Sequence, residues 1–298
     1  IYFIIMNIYF LEKSIDFNGE DVDSSKIGGT EKTLINITNE LAKNNNLSVK
    51  VFNNKKYEKK INNVHWCNFS QYNQNIIPDA LISFSDVNLF KNFRSKKKFL
   101  WSHSVQNLEK FIRKKQFFSY LIHKPVLILE GDYHFKKRSF LTSFYGKKIL
   151  KLAPDYEFIN ENIDINSVPD KNCIFTTKSD RNLNILLEAW GHIFKLNNDA
   201  KLFINPPFKC SDSLLAQSVF IRKKGDKMDL IKDLKSSRIM LTPGHKGEVF
   251  CLAAEEAREL CIPIVTLGYG SLYERVIHNK TGFIAKNINE FSYFTNRL

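Results

Sequence analysis

The chain has 298 residues, of which 43% are hydrophobic and 25% are charged, as in a globular protein of one large domain or two domains of about 150 residues. No apolar run reaches the roughly 18 residues that a membrane-spanning helix needs, and the apolar start has neither the basic leader nor the cleavage site of a signal peptide. The net charge of +13 is spread over the whole chain, which fits a compositional bias, anionic substrates or an anionic membrane face as well as nucleic acid.

Apolar runs with strand character alternate along the chain with segments of helical period. Helices are predicted at Thr30–Lys43 and Asn182–Leu196. Because several strands are apolar throughout, they are predicted to be parallel and covered on both faces, in doubly wound α/β sheets. The strand candidates are Ile1–Phe10, Leu47–Asn53, Ala80–Phe84, Lys98–Trp101, Val126–Leu129, Cys173–Thr177, Lys201–Ile204, Ser218–Ile221, Arg238–Leu241 and Ile262–Thr266.

A break in this pattern falls between about Lys151 and Asp170, where two prolines stand among several Asp and Asn. We therefore expect an N-terminal domain over residues 1–155 and a C-terminal domain over residues 156–298. Both ends look unnatural, because Met6 reads like a true start and the segment from Phe291 stops inside a predicted helix. We expect a fragment, truncated at its C-terminus, or a coding sequence whose start is wrongly assigned.

The five cysteines are scattered, odd in number and form no C-x-x-C pair, which favours a reducing cytosol over a disulfide framework or a zinc site. Two of them lie in or beside apolar runs and are expected to be small core residues, Cys173 and Cys261. The others are Cys67, Cys210 and Cys251.

Seven of the 12 glycines fall in two regions, Gly28–Gly29 and the stretch from Gly244 to Gly282. The first is the loop from Lys26 to Thr30, which contains Gly28 and Gly29, follows the first strand and opens a helix. Backbone N–H groups at a helix start attract phosphate or carboxylate. A plain helix-capping turn fits this loop equally well, because its spacing does not match G-x-G-x-x-G.

The second place follows the strand Arg238–Leu241, where a glycine-containing loop leads into a helix that runs to about Leu260. Glu248 is expected in the loop at the carboxyl end of the strand, and Glu256 in an early turn of the helix. Ligands bind at this edge of open α/β sheets, so one carboxylate could accept hydrogen bonds from sugar hydroxyls and the other from a ribose. Alternatively, the charged residues of the helix form a solvated face, namely Glu255, Glu256, Arg258 and Glu259.

Four segments in this order resemble the donor-binding region of the GT-B glycosyltransferases, specifically family 4, the group 1 glycosyltransferases. The family signature has two glutamates separated by seven residues, a G-x-P-x-V strand, in which Cys261 stands here for the glycine, and a Thr-Gly-Phe turn. The resemblance implies two Rossmann-like domains facing each other across a cleft, with the acceptor on the first and the donor on the second. The segments are Glu248–Ala257, Ile262–Val265, Gly270–Val276 and Thr281–Phe283.

Weaker similarity assigns roles elsewhere in the chain. The Gly28–Gly29 loop resembles a family loop that approaches the donor diphosphate, and His103 resembles the family's N-domain histidine. Arg181 takes the place of a basic residue that contacts the diphosphate, with Lys178 as a second charge, because Thr176 replaces the usual arginine. His103 could instead be a polar residue at a strand end, and Arg181 a surface charge.

The resemblance thus implies a set of donor-binding residues and a set of catalytic residues. Neither glutamate is expected to act as a nucleophile, because both come from one loop–helix unit and fit donor binding better. The catalytic set is His103, Arg181 and Glu248. The donor-binding set is Gly28, Gly29, Lys178, Arg181, Glu248, Phe250, Cys251, Leu252 and Glu256.

The activity implied is retaining transfer of a hexose from a UDP- or GDP-linked donor to a glycan or lipid-linked acceptor, in the cytoplasm, for cell-envelope polysaccharide. No cofactor and no metal is expected. Asp21-Val22-Asp23 mimics the metal-binding D-x-D motif of another glycosyltransferase fold but is interpreted as a solvated loop. The alternatives are an epimerase or phosphorylase of the same fold, or a non-catalytic basic protein on nucleic acid or a membrane surface; nucleic acid is the less expected partner.

Basic and aromatic residues mix between Lys110 and Ile122 in what is predicted to be one helix. Its apolar face would carry Phe111, Phe118, Leu121 and Ile122, beside three cationic residues. Such a helix can lie in a lipid interface and place the protein at the inner face of the membrane. Alternatively, it is an ordinary helix whose apolar face packs on the sheet.

Overall fold

The computed structural model describes residues 5–24, 27–56, 58–164, 166–205, 217–223 and 225–298. Three of the features discussed above lie outside the described residues: the first four residues of the strand predicted from Ile1, Lys26 of the glycine loop, and Cys210. Contacts divide the chain into two compact units, Ile1–Lys151 and Leu152–Leu298, whereas the sequence places the boundary after residue 155.

Unit 1 contains an eight-stranded sheet in the order β3-β4-β2-β1-β5-β6-β7-β8. Neighbouring strands are parallel except for the antiparallel pair β3 and β4. The direction of winding reverses at β1, which lies between β2 and β5. The strands are β1 Met6–Leu11, β2 Leu47–Asn53, β3 Lys59–Ile61, β4 Val64–Asn68, β5 Ala80–Phe84, β6 Lys97–Trp101, β7 Val126–Leu129 and β8 Lys147–Ile149.

The helices of unit 1 are α1 Gly29–Ala42, α2 Leu108–Arg113, α3 Phe117–His123 and α4 Asp132–Lys137. The single helix predicted from Lys110 to Ile122 is wrong, because the chain breaks between α2 and α3. Lys115 takes a left-handed φ of 54°, which ends α2. The buried Gln116 then donates its Nε2–H to Asp86 Oδ1 at 3.1 Å, which fixes the break on the loop after β5.

Unit 2 contains a six-stranded parallel sheet in the order β11-β10-β9-β12-β13-β14, which reverses between β9 and β12. Its helices are α5 Tyr156–Ile159, α6 Leu183–Leu196, α7 Lys227–Lys235, α8 Leu252–Glu259, α9 Leu272–Arg275 and α10 Ile288–Arg297. Its strands are β9 Asn172–Phe175, β10 Lys201–Ile204, β11 Val219–Ile221, β12 Ile239–Leu241, β13 Ile264–Thr266 and β14 Gly282–Ile284. The doubly wound parallel architecture predicted from the alternation is confirmed.

The core of unit 2 joins elements that are distant in sequence. Trp190 of α6 is fully buried with Phe291 of α10 in one apolar cluster. Ser292 donates its hydroxyl to the carbonyl of Ala189 at 3.3 Å, across 103 residues of sequence. Helix α10 therefore holds α6 in place, and α6 begins two residues after Arg181.

The cysteines are only partly as predicted. Cys173 is buried in the core, but Cys261 is exposed, so its prediction as a core residue is wrong. Cys261 takes a φ of 55°, a left-handed conformation that glycine adopts without steric cost. The chain thus keeps, at the position where the resembling family has glycine, the backbone conformation that glycine favours. No helix in the described ranges is both long enough and apolar enough to cross a bilayer.

Candidate active site

The candidate site of unit 2 lies where the winding of its sheet reverses. Strands β9 and β12 are parallel neighbours, so the loops that follow them emerge at the same edge. Ligands of open α/β sheets bind at such a reversal. The loop after β9 carries Arg181, and the loop after β12 carries His245 and Glu248.

These two loops are joined by side-chain hydrogen bonds. The guanidinium of Arg181 lies with Nη1 3.0 Å from Nδ1 of His245, and the N–H of Gly247 donates to the same ring nitrogen at 3.0 Å. Nδ1 of His245 therefore acts as an acceptor, which assigns the ring proton to Nε2. Asn182 adds a second link between the loops, because its Nδ2–H donates to the carbonyl of Gly244 at 2.6 Å. The cation of Arg181 is thus held in a fixed orientation.

Glu248 is a half-buried residue whose carboxylate has spare hydrogen-bonding capacity. Its Oε2 has no hydrogen-bond partner among the described residues. Burial raises the pKa of Glu248, while the nearby charge of Arg181 and a hydrogen bond from the Cys251 thiol oppose the rise. A buried oxygen without a hydrogen-bond partner costs folding free energy. A hydroxyl group of a bound ligand would supply the missing hydrogen bond.

The backbone around Glu248 is packed too closely for any side chain at Gly270. A Cβ built there would lie 2.3 Å from the carbonyl oxygen of His245 and 2.8 Å from that of Glu248, and φ is +70°. Ser271 then donates its N–H to the carbonyl of Glu248 at 3.0 Å. The glycine after β13 therefore lets two loops touch and fixes the position of Glu248.

Helix α8 begins beside this carboxylate. Its N-cap, Cys251, is buried and takes a left-handed φ of 61°, and burial raises the pKa of its thiol well above the ordinary value. The thiol therefore stays protonated and donates to Glu248. The preceding Phe250 is buried, and Leu252 is the half-buried first residue of the helix. The positive end of the helix dipole is thus placed next to Glu248 and Arg181.

The remaining predicted donor residues of unit 2 differ in their surroundings. Glu256 is half-buried on α8, whereas Lys178 is exposed in the loop after β9. The carbonyl of Lys178 accepts the N–H of Arg181 at 2.9 Å, so the two residues share a turn. Lys178 therefore lies beside Arg181 along the backbone, with its side chain exposed.

The solvated helix face proposed as an alternative for α8 is wrong for Glu255. This residue is 2% exposed and pairs with Arg275 Nη1 at 3.0 Å and with Arg258. Arg275 also donates its Nε–H to the carbonyl of Phe250 at 3.1 Å and lies over the ring of Phe250. The Glu255–Arg275 pair is therefore a buried brace behind the start of α8.

In unit 1, the glycine loop forms the capping turn that the sequence left open. The N–H of Gly28 donates to Oε2 of Glu31 at 2.9 Å, so this amide is already paired with a carboxylate. Gly29 opens α1 with free space where a Cβ would stand. The buried Glu12, which follows β1, has a pKa raised by burial and by the nearby Glu31. A diphosphate at this turn would have to compete with these carboxylates.

His103 follows β6 and is 11% exposed at its side chain. Its ring stacks against Phe84 and Trp101, with centroid distances of 4.9 and 5.5 Å. Its Nδ1 lies 2.5 Å from Oε1 of Glu130, which follows β7. Its Nε2 is buried with no hydrogen-bond partner among the described residues.

The sequence missed His245, Asn182, Arg275 and Glu130 as site residues. His245 lies between Gly244 and Gly247, and the cluster of scarce glycines around it was the available signal. No local signal singled out Glu130, because its partner His103 is distant in sequence.

The acidic motif near the N-terminus is a short 3-10 helix over Gly19–Asp23 rather than a loop. Asp21 accepts the N–H of Asn18 at 2.8 Å and pairs with Lys55. Among the described residues, no group of three His, Cys, Asp or Glu is placed to hold a metal ion.

The raised pKa of Glu248 predicts a pH-dependent stability effect. A carboxyl whose folded pKa exceeds its ordinary value of 4.5 costs folding free energy above the folded pKa, and this cost disappears as the pH falls through that pKa to the ordinary value. Glu248→Gln should therefore unfold at a higher temperature than wild type near pH 7.5, with a difference that vanishes by about pH 4. Thermal unfolding across this pH range checks the sign; a wild type that is the more stable form at neutral pH would contradict it.

The fold and part of the sequence match known proteins. The sucrose-phosphate synthase of Thermosynechococcus elongatus shares 13% identity at a TM-score of 0.68, over 98% of this chain and 89% of that one. A glycosyltransferase of Rickettsia africae shares 13% identity at a TM-score of 0.67, over 97% of this chain and 86% of that one. Anabaena HepE, solved with UDP and glucose, shares 12% identity at a TM-score of 0.64, over 98% of this chain and 89% of that one. No curated protein matches the sequence.

These structures define the class: the chain has the GT-B fold of glycosyltransferases. The family model described as glycosyl transferases group 1 matches residues 176–292, which include Arg181, Glu248 and Glu256. The C-terminal unit thus contains a region similar to the group 1 glycosyltransferases, and the protein is a glycosyltransferase.

Proposed function

We propose that this protein transfers a hexose, with retention, from a nucleotide-sugar donor bound by unit 2 to a glycan or lipid-linked acceptor bound by unit 1, as in family 4. The observation that carries the proposal is the buried, unpaired oxygen of Glu248 beside Arg181 and the N-terminus of α8. A carboxylate accepts hydrogen bonds from sugar hydroxyls, while a fixed arginine and a helix N-terminus stabilise a diphosphate. Anabaena HepE, whose fold is similar, was solved with UDP and glucose, which supports a uridine donor.

A screen of thermal stability against UDP-, GDP- and ADP-sugars tests the proposal. A ligand at about 100 times its Kd stabilises the folded state by about 2.7 kcal/mol, so one nucleotide class should raise the unfolding temperature by several degrees. Arg181→Gln and Glu256→Gln should reduce this shift, and the control Glu259→Gln should leave most of it. No shift with any nucleotide sugar would contradict the proposal.

Product analysis separates transfer from the other reactions of this fold. Release of nucleoside diphosphate that depends on an added acceptor supports transfer. Sugar isomerisation alone would instead indicate an epimerase, and phosphate-dependent cleavage a phosphorylase. Tight, salt-sensitive RNA binding without any donor binding would indicate a non-catalytic nucleic-acid protein.

Transfer should not depend on a divalent cation. Arg181, held by His245, and the dipole of α8 supply positive charge for the leaving diphosphate. We expect the initial rate in excess EDTA to stay within about twofold of the untreated rate, since the charge compensation comes from the chain itself. Complete loss with the chelator, restored by manganese, would contradict this expectation.

The apolar surface that the sequence suggests for membrane contact is smaller in the structure, because only part of the predicted helix face is exposed. Phe111 is buried, while Phe118 and Ile122 of α3 are more than 70% exposed. Ile122 and Lys124 line a groove of about 400 Å³ with Lys96, Lys97 and Lys98. Exposed apolar side chains beside clustered lysines suit the headgroup region of an anionic membrane, and we propose that α3 makes this contact at the inner face of the membrane.

Sedimentation with liposomes tests the α3 contact. The protein should bind vesicles that contain anionic phospholipid more strongly than neutral vesicles, because each lysine near the surface contributes about 1 kcal/mol. Phe118→Ser combined with Ile122→Ser should abolish this binding without unfolding the protein. Val168→Ser, at an exposed apolar residue of unit 2, is the matched control. Equal sedimentation with both vesicle types would remove the membrane contact.

A further inference from the structure

Two histidines and a glutamate lie together at the carboxyl edge of the unit 1 sheet. His103 follows β6 and Glu130 follows β7, and these strands are parallel neighbours. Glu130 is 2% exposed and His134 is fully buried. Three titratable groups at the ligand-binding edge of a sheet, two of them buried and the third, His103, 11% exposed at its side chain, are expensive to keep for stability alone.

The hydrogen bonds define the protonation of this cluster. The N–H of Glu130 donates to Nδ1 of His134 at 3.2 Å, and Nε2 of His134 lies 3.1 Å from the carbonyl of Ser104. Burial lowers the pKa of His134 to about 4, so this ring is neutral and carries its proton on Nε2. His134 therefore ties the end of β7 to the loop that carries His103.

The carboxylate of Glu130 is held in turn. Its Oε1 accepts the indole N–H of Trp101 at 3.3 Å and lies 2.5 Å from Nδ1 of His103. A carboxylate can only accept, so Nδ1 of His103 carries a proton. In the neutral imidazole the lone pair is then on Nε2, the atom that is buried without a partner among the described residues.

We propose that Glu130 is a positioning residue for His103: its carboxylate holds the imidazole with Nδ1–H towards itself and so presents Nε2 as an acceptor to a hydroxyl group of the sugar substrate. The stacked rings of Phe84 and Trp101 set the plane of the imidazole, and Glu130 sets its rotation and tautomer. A wrong tautomer would place a hydrogen where the acceptor must be, as is known for carboxylate–histidine pairs in other enzymes. The role in transfer rests on the proposed function, whereas the tautomer does not.

The test is a double-mutant cycle combined with nitrogen-15 spectra of the imidazoles. Glu130→Met should lower kcat/KM for transfer roughly 10- to 100-fold in the wild-type background, but by no more than about twofold in a His103→Gln background, because its effect passes through His103. In the spectra, Nδ1 of His103 should be protonated in wild type and largely unprotonated in Glu130→Met. Glu109→Gln, an exposed charge change on α2, should alter neither readout.

Two results would overturn the proposal. The first is an equal loss of kcat/KM from Glu130→Met in the wild-type and His103→Gln backgrounds. The second is a His103 tautomer that does not change in Glu130→Met. Unfolding temperatures of all variants separate loss of fold from loss of function. If Glu130→Met does not fold, Glu130→Leu, which also lacks an acceptor oxygen, carries the same kinetic cycle. If no nucleotide sugar supports transfer, the proposed function fails, and the spectra still decide whether Glu130 sets the tautomer of His103.

Discussion

Replacing Glu248 with glutamine is expected to lower kcat and kcat/KM for transfer together, by roughly ten- to a hundredfold. The carboxylate has one buried oxygen without a partner and lies beside Arg181 at the reversal of the unit 2 sheet. Its hydrogen bonds to the transferred sugar should strengthen as charge develops on that sugar, and an interaction made mainly in the transition state affects kcat. Steady-state kinetics with varied donor measures the effect.

Glu256 should behave differently, because the family resemblance places it at the ribose. Hydrogen bonds to a ribose are similar in the ground and transition states, so Glu256→Gln should mainly raise donor KM. Glu259→Gln, the same charge change later in α8, is the matched control and should leave both constants within about twofold. If the control is damaging and Glu256→Gln is silent, the donor assignment of α8 fails.

Replacing Glu255 with glutamine is expected to destabilise the protein rather than to alter its kinetics. Its carboxylate is buried between Arg275 and Arg258. Removing one partner of a buried ion pair costs about 3–5 kcal/mol. For a unit of this size, that corresponds to a fall in Tm on the order of 10 °C. Calorimetry or thermal unfolding followed by circular dichroism measures it.

Arg258→Gln is the control for the loss of stability expected in Glu255→Gln. Arg258 is exposed, and ion pairs at the surface contribute only about 0–1 kcal/mol to stability. A Glu255→Gln variant that keeps its Tm but loses donor binding would show that the family register is wrong by one residue. Glu255, and not Glu256, would then be the ribose ligand. Because the family spacing assigns the ribose to Glu256, Glu255→Gln should leave the donor kinetics nearly unchanged.

The parallel sheets were predictable because apolar strand runs alternate with helical periods, and the ten strand candidates each overlap an observed strand. Of the four described strands that the sequence missed, three lack that signal, whereas β4 was overlooked although its Val64, Trp66 and Cys67 are buried. Both β3 and β8 read Lys-Lys-Ile, short and too polar to suggest a strand. β14 begins at Gly282, within the segment interpreted as a turn.

The site was less predictable, because pairing across a sheet edge leaves no trace in a linear pattern. Glu248 and Arg181 were found through family spacing, but their contact with His245 required the fold. His103 was singled out without Glu130, which is 27 positions further along the chain (130 − 103). Likewise, the charges of α8 alone could not show that Glu255 faces Arg275 rather than water.

The packing of α10 on α6 bears on the order in which the protein becomes folded during synthesis. Unit 1 consists of residues Ile1–Lys151, so it can fold while the ribosome is still translating unit 2. Unit 2 cannot complete its core at the same pace, because Trp190 and Phe291 share one cluster and the second residue leaves the ribosome about a hundred residues after the first. Until then, the growing chain exposes the apolar face of α6, and the loop of Arg181 lacks a firm support. We therefore expect chaperone demand to concentrate on this late interval, after unit 1 has formed and before α10 has emerged.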